Sequence, residues 1–130
     1  MTTSFVIDTN IAIDLRDNVP GMADRVEELE GDVWLSILTR VELEGGAQRD
    51  AVETEARSRR LRTLLSFIPC HAFDDRDADA YRDIMRAVGF SRRKIVDRMI
   101  AAQAIAREAM LVTRNAADFR DIVNLRMLEW

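Results

Sequence analysis

The sequence predicts an α/β/α sandwich built on a mainly parallel sheet. Three observations point there. Short apolar runs at Phe5-Val6-Ile7, Val33 to Ser36 and Met110 to Thr113 have no polar alternation, as in strands covered on both faces. Longer amphipathic stretches separate those runs, the alternation of a wound α/β fold. The chain has 130 residues, the length of one domain with its own core, so residues 1–130 read as a single domain.

The first strand runs from Ser4 to Asp8. A helix follows through Ile11 and Leu15 until Val19-Pro20-Gly21 breaks it, and Pro20 is placed to open a second helix that ends near Gly31. Val33 to Ser36 is the second strand. Leu38 to Gln48 is helical, weakened by Gly45-Gly46, and Ala51 to Leu65 is a longer helix. Phe67 to His71 is a short strand whose Pro69 assigns it to an edge or a strand end. Asp75 to Val88 is a helix stopped by Gly89. A basic loop, Ser91-Arg92-Arg93-Lys94, leads to an alanine-rich helix from Asp97 to Ala109. Met110 to Thr113 is a buried strand, Arg114 to Asp121 a loop or short helix, and Leu125 to Leu128 a last strand.

Composition removes several classes of function. No apolar run approaches the roughly 20 residues of a membrane span. The amino terminus lacks the basic and apolar regions of a signal peptide, and the lone Cys70 has no internal disulfide partner, which fits a reducing cytoplasm. One histidine rules out a multi-histidine metal site, and the absence of paired CxxC rules out structural zinc. No glycine-rich dinucleotide or P-loop motif occurs. The formal charge of −4 argues against a protein that coats DNA by charge alone, and it does not exclude a nuclease whose bound cations supply the missing charge. Nearly all the basic residues are arginine, which favours bidentate contact with phosphate or carboxylate.

Oxygen donors therefore remain, the hard ligands of Mg²⁺ or Mn²⁺. Taken singly, each acid has an equally good structural role. Asp8 fits a helix cap, Thr39 and Glu42 fit an S/T-x-x-E capping box, Asp97 fits the cap of the alanine-rich helix, and Asp118 fits a turn. Their joint placement changes that balance. Asp8 ends a buried strand, Asp118 follows another, Glu42 lies about one helical turn beyond a third, and Asp97 opens a helix whose alanines allow close approach. In open α/β sheets, ligands bind beyond the carboxyl ends of strands. Four acids gathered there repel one another, and a divalent ion removes the conflict.

The motifs resemble those of a known family. Phe5-Val6-Ile7-Asp8-Thr9-Asn10 resembles the hydrophobic-DTN opening of PIN-domain nucleases. Ser36 to Leu43 is similar to S-x-x-T-x-x-E-L, Asp97 to Ala104 to D-x-x-I-A-A-x-A, and Leu111 to Phe119 to L-V-T-x-N-x-x-D-F. The close, Leu125-Arg126 with Glu129-Trp130, resembles the ending of some VapC toxins. The set is complete and in order from Ser4 to Trp130. The resemblance implies an Mg²⁺- or Mn²⁺-dependent endoribonuclease, the toxin of a pair held inactive by a VapB antitoxin, and a homodimer. It leaves open a PIN-like nuclease outside such a pair and a non-catalytic RNA- or protein-binding module of the same fold. Asp8 and Asp97 are then expected to hold the ion, with Glu42 and Asp118 completing its shell. Thr9, Thr113 and Asn115 are expected to orient ligands or water. Asn115 and Asp118 both stand as the fourth-motif residue. With no second histidine, water on the metal is the expected nucleophile. That attack does not need the RNA 2′-OH, so the RNA assignment comes from the family alone. An arginine of the antitoxin would suit the acid cluster, and the helices from Asn10 to Leu29 and Leu38 to Leu65 would wall a groove for its apolar residues.

Other residues read more plainly. Asp14 reads as part of a solvated helix face. Asp74, Asp75, Asp77 and Asp79 suit a helix start. Arg57, Arg59, Arg60 and Arg62 read as a solvated face balanced by Glu53 and Glu55. Arg92, Arg93 and Lys94 stand where RNA phosphates would reach them. Cys70 and His71 read as partly buried residues, and Trp34 and Trp130 as packing or interface anchors. An aspartyl-phosphate enzyme would want an acid where Asn10 stands. A receiver domain would want a lysine after a late strand, whereas Lys94 precedes a helix.

Overall fold

The computed structural model describes residues 2–130. Its sheet is built from β1 (Thr3–Ile7), β2 (Gly31–Ser36), β3 (Cys70–His71), β4 (Met110–Thr113) and β5 (Met127–Glu129). All neighbouring strands pair in parallel, in the order β3-β2-β1-β4-β5. The helices are α1 (Thr9–Arg16), α2 (Met22–Glu27), α3 (Ile37–Gln48), α4 (Thr54–Phe67), α5 (Asp75–Val88) and α6 (Ile95–Ala106). Short 3₁₀ turns cover Arg92–Lys94 and Ala116–Phe119.

Strand alternation sorts the core into two layers. Val6, Trp34 and Leu111, opposite one another in register, face Ile84 of α5 and Ile100 and the buried alanines of α6. Ile7 and Leu35 face the other way, onto Ile11, Leu43, Leu61 and Leu64. Helices thus cover both faces of the sheet, and the uninterrupted apolar runs follow from that double burial. At Gly31, β2 leaves no room for a side chain against β1. A Cβ there would lie 2.0 Å from the Thr3 carbonyl oxygen. Gly31→Ala is therefore expected to destabilise the fold by about 2 kcal/mol, the scale of an overpacked core site. A urea melt checks it, and an unchanged midpoint would show that the strands move apart freely.

Several elements depart from the sequence reading. Pro20 lies in the turn and does not open α2; Gly21, in the left-handed region at φ 83°, caps it instead. That helix ends at Glu27, and Gly31 already belongs to β2. The third helix is capped by Ser36, whose hydroxyl accepts from the Leu38 amide. Thr39 and Glu42 therefore lie inside it and form no capping box. Helix α4 runs on through Phe67, so β3 keeps only Cys70 and His71, at the sheet edge as Pro69 required. Helix α6 begins at Ile95, so Asp97 sits in its first turn and is not its cap.

An ion pair ties α5 to the segment after α6. Asp74 and Asp77 form a capping box on α5, and fully buried Asp77 pairs with Arg107 at 3.1 Å. The same guanidinium donates to the Ala72 carbonyl at 2.9 Å. Among the described residues, no helix is long and apolar enough to cross a membrane.

Candidate active site

The sheet order places β1 between β2 and β4, so chain connections leave its carboxyl end in opposite directions. A crevice opens at such a switch point. Asp8 stands there because one residue separates β1 from α1. Its amide donates to the Val112 carbonyl at 2.9 Å, which pins the strand end to β4. Its carboxylate accepts from the Thr9 amide at 2.8 Å and from the Thr113 hydroxyl at 2.7 Å. Asp8 thus does cap α1, as its structural reading required, but its second oxygen is held by a different strand. Thr113 also accepts from the Asn115 amide at 3.0 Å, which folds the loop after β4 back toward Asp8.

Glu42, one turn into α3, accepts from the Thr9 hydroxyl at 2.7 Å. The Thr9 hydroxyl lies 3.0 Å from that of Thr39. Since Thr9 gives its proton to Glu42, Thr39 donates to Thr9, and the two hydroxyls form a relay that aims the carboxylate. The sequence offered Thr39 as a cap and as a position of the S-x-x-T-x-x-E-L motif, without a role in the site. Its i−3 spacing from Glu42 and complete burial mark it as part of the site. Asn10, the last residue of the DTN-like opening, also belongs to the site. Its amide nitrogen reaches Asp8 at 3.4 Å, and its side-chain oxygen is buried without a partner.

Asp97 and Asp118 complete the set electrostatically. Burial, then the charges of Asp8, Asp118 and Glu42, push the Asp97 carboxyl up to about 6, against a partial offset from Lys94. Burial likewise raises Asp8, opposed by its hydrogen bonds to Thr113 and Thr9. Asp8 and Asp97 thus both feel the charges of Glu42 and Asp118, which come from other segments, and Asp97 feels that of Asp8 as well. Among the described residues, no three His, Cys, Asp or Glu side chains stand close enough to form a ready metal shell. The donors are all hard oxygens with one orphaned amide oxygen beside them, a set that fits Mg²⁺ or Mn²⁺ and no softer ion.

The perturbed Asp97 has a stability consequence. Its folded value lies above the ordinary 3.8, so the metal-free fold is most stable when the group is protonated. Stability falls as pH rises from about 4 to about 6, and the full penalty stands above that. Allowing for solvent screening of a part-exposed carboxyl, the penalty is about 1–2 kcal/mol at pH 7. Asp97→Asn is expected to raise the metal-free melting temperature by about 4 °C at pH 7.5 and to change little at pH 4. Melting in EDTA at both pH values checks this, and a fall at pH 7.5 would make Asp97 a structural residue.

The remaining residues fall into place around this centre. Asp14 does not face solvent. It is buried and pairs with Arg114, which also donates to the Asn10 carbonyl at 3.4 Å. Arg92 and Arg93 are exposed, whereas Lys94 is half-buried close to Asp97. Arg59 pairs with Glu55, as a solvated helix face would. Trp34 is a core residue whose indole donates to the Ser4 hydroxyl at 2.7 Å, and Trp130 lies under the Arg25 guanidinium.

The fold defines a class: small α/β proteins with a parallel sheet and helices on both of its faces. The chain belongs to the PIN domain family, whose model matches residues 5–125. Three solved structures are similar to it over nearly their whole length. VapBC2 from Rickettsia felis, solved with a promoter DNA fragment, shares 25% identity at a TM-score of 0.88, covering 98% of this chain and 99% of that one. DNA-bound VapBC from Salmonella typhimurium shares 25% identity at 0.86, covering 98% of each chain. VapBC-1 from nontypeable Haemophilus influenzae shares 26% identity at 0.82, again covering 98% of each. No curated protein matches the chain.

Proposed function

We propose that this protein is a divalent-metal-dependent endoribonuclease and the toxin of a VapBC-type pair. The observation that carries the nuclease reading is the electrostatic coupling of Asp97, raised first by burial and then by the charges of Asp8, Asp118 and Glu42, at the carboxyl edge of the sheet. Asp8 and Asp97 would hold Mg²⁺ or Mn²⁺, and Glu42 and Asp118 would complete the shell. When bound, the ion supplies an acidified water and stabilises charge on the scissile phosphate. The chain's own residues orient the ligands. Thr113 fixes one oxygen of Asp8, the Thr9 amide fixes the other, and the Thr39–Thr9 relay aims Glu42. Asn115 braces Thr113 through its amide, and Asp118 closes the loop behind it.

Two features support the toxin reading. The similar structures are VapBC complexes. A groove of about 1100 Å³ lies between the early helices, lined by Leu15, Val26, Leu64, Phe67 and Ile68. It lies between the helices that the sequence assigned to antitoxin docking, and a VapB-type partner would fill it with apolar side chains. The active form would be a cytoplasmic homodimer. Purified protein is expected to cut total cellular RNA with Mg²⁺ or Mn²⁺ and to stop in EDTA; cleavage surviving full chelation would overturn the metal mechanism. Co-expression with the adjacent open reading frames is expected to yield a small bound protein that suppresses cleavage. A chain that is harmless when overproduced and captures no neighbour would end the toxin reading while leaving the nuclease reading intact.

A further inference from the structure

The turn between α5 and α6 holds a feature that the acid centre does not use. Phe90 is 71% exposed, and Arg92, Arg93 and Lys94 follow it directly. A single exposed apolar residue is ordinary on a protein surface. Its setting here is not. The turn is tied down by Arg98, a buried residue adjacent to Asp97. One Arg98 nitrogen donates to the Gly89 carbonyl at 2.7 Å, and another pairs with Asp121 at 2.9 Å. Gly89 takes a positive φ of 78°, and Phe90 next to it stands largely in solvent. One buried guanidinium thus ties the Phe90 turn to the helix carrying Asp97 and to the segment that follows Asp118.

The electrostatics name the occupant. Four carboxylates repel a polyanion, so a nucleic acid at this centre needs cations beside it. Among the described residues, neither Arg92 nor Arg93 forms an ion pair, and Lys94 is close enough to lower Asp97. An exposed ring flanked by unpaired arginines is the composition of a single-strand site, in which bases stack on the ring and phosphates meet the cations. A duplex keeps its bases stacked on each other and offers the ring nothing.

Resting on the nuclease reading, we propose that Phe90 is a base-stacking platform for single-stranded RNA, with Arg92 and Arg93 gripping the adjoining phosphates and feeding the strand toward Asp97. The alternative occupant, a second copy of this chain packed on Phe90, is an outcome of the test.

The test is fluorescence anisotropy with a labelled single-stranded oligoribonucleotide and its duplex, in Mg²⁺. It uses an Asp8→Asn background, so that the RNA stays intact. Phe90→Ala is expected to weaken single-strand binding about tenfold and leave duplex binding unchanged, and Phe90→Trp to restore it. The Arg92→Gln, Arg93→Gln pair is expected to flatten the dependence of log affinity on log salt by about 1.4, two contacts at about 0.7 each. Unchanged single-strand affinity in Phe90→Ala would overturn the proposal. So would equal losses on strand and duplex, or a loss of dimer by sedimentation with affinity per chain preserved. If the unsubstituted protein cuts no RNA yet Phe90→Ala loses strand binding, the nuclease reading fails and this surface stands. If cleavage occurs and Phe90→Ala changes nothing, this inference fails alone.

Discussion

Asp8→Asn is expected to lower metal-dependent RNA cleavage by about 10²–10³-fold, the scale on which removing one preorganised electrostatic group acts. The substitution keeps the shape of the side chain and its hydrogen-bond acceptor toward Thr113 or the Thr9 amide. It removes the negative charge on which ion binding depends. Because Asp8 is also the cap of α1, the control is stability. Asparagine caps a helix about as well as aspartate, so the melting temperature should move little. A variant that loses activity and structure together would show Asp8 acting mainly as a cap. One that keeps full activity would remove Asp8 from the metal shell.

Arg107→Leu is expected to destabilise the fold by about 3 kcal/mol, because it leaves the Asp77 charge buried without its partner. Asp77 has no exposed surface, and one of its oxygens already lacks a hydrogen bond in the intact structure. The second oxygen accepts from the Asp74 amide at 2.8 Å and from Arg107. Losing the guanidinium also frees the Ala72 carbonyl, which Gln103 would hold alone at 3.1 Å. Adding Asp77→Asn to the variant removes the stranded charge while keeping an acceptor for the cap. Urea melts of the single and double variants should therefore show a large part of the loss recovered. Equal losses in both would mean that the penalty comes from lost packing against Trp34, over whose ring Arg107 lies at 5.7 Å.

Some elements could be read from the chain because their signals are local. The strands around Val6 and Leu111 are continuous apolar runs, and only double burial makes such runs. Helix α5 carries its start and stop in adjacent residues, Asp74 with Asp77 and then Gly89. The errors arose where a local signal was imitated. Thr39 and Glu42 have the spacing of a capping box, but Ser36 takes the cap one turn earlier and leaves both free for the site. Asp97 has the chemistry of a cap, but the 3₁₀ turn at Arg92–Lys94 runs directly into α6 without one. Pro20 is a good helix opener, yet Gly21 adopts a backbone conformation that only glycine takes cheaply.

The acids could be nominated from strand-end placement and from the ordered motifs. What surrounds them could not. Asp14 looked like a surface residue because its partner, Arg114, lies 100 positions away. The Thr39–Thr9–Glu42 relay joins residues 30 and 33 positions apart, and the Thr113 bond to Asp8 spans 105. Such pairings exist only once the sheet order is set. The same holds for the pKa of Asp97, which depends on three carboxylates from other segments.

Calorimetric titration of Mn²⁺ into the metal-free protein at pH 7.5 tests the central claim most directly. If the four acids form one cation site, the protein binds Mn²⁺ at pH 7.5, where Asp97 is already ionised, and the same titration repeated near pH 6 releases protons as Asp97 gives up its own. Binding then weakens as pH falls through about 6, and it is lost in Asp8→Asn and Asp97→Asn while Asp79→Asn, on the exposed face of α5, titrates unchanged. Mn²⁺ binding that is equal in all four proteins, or absent from all of them, would contradict the assignment of this crevice as a metal-dependent nuclease centre.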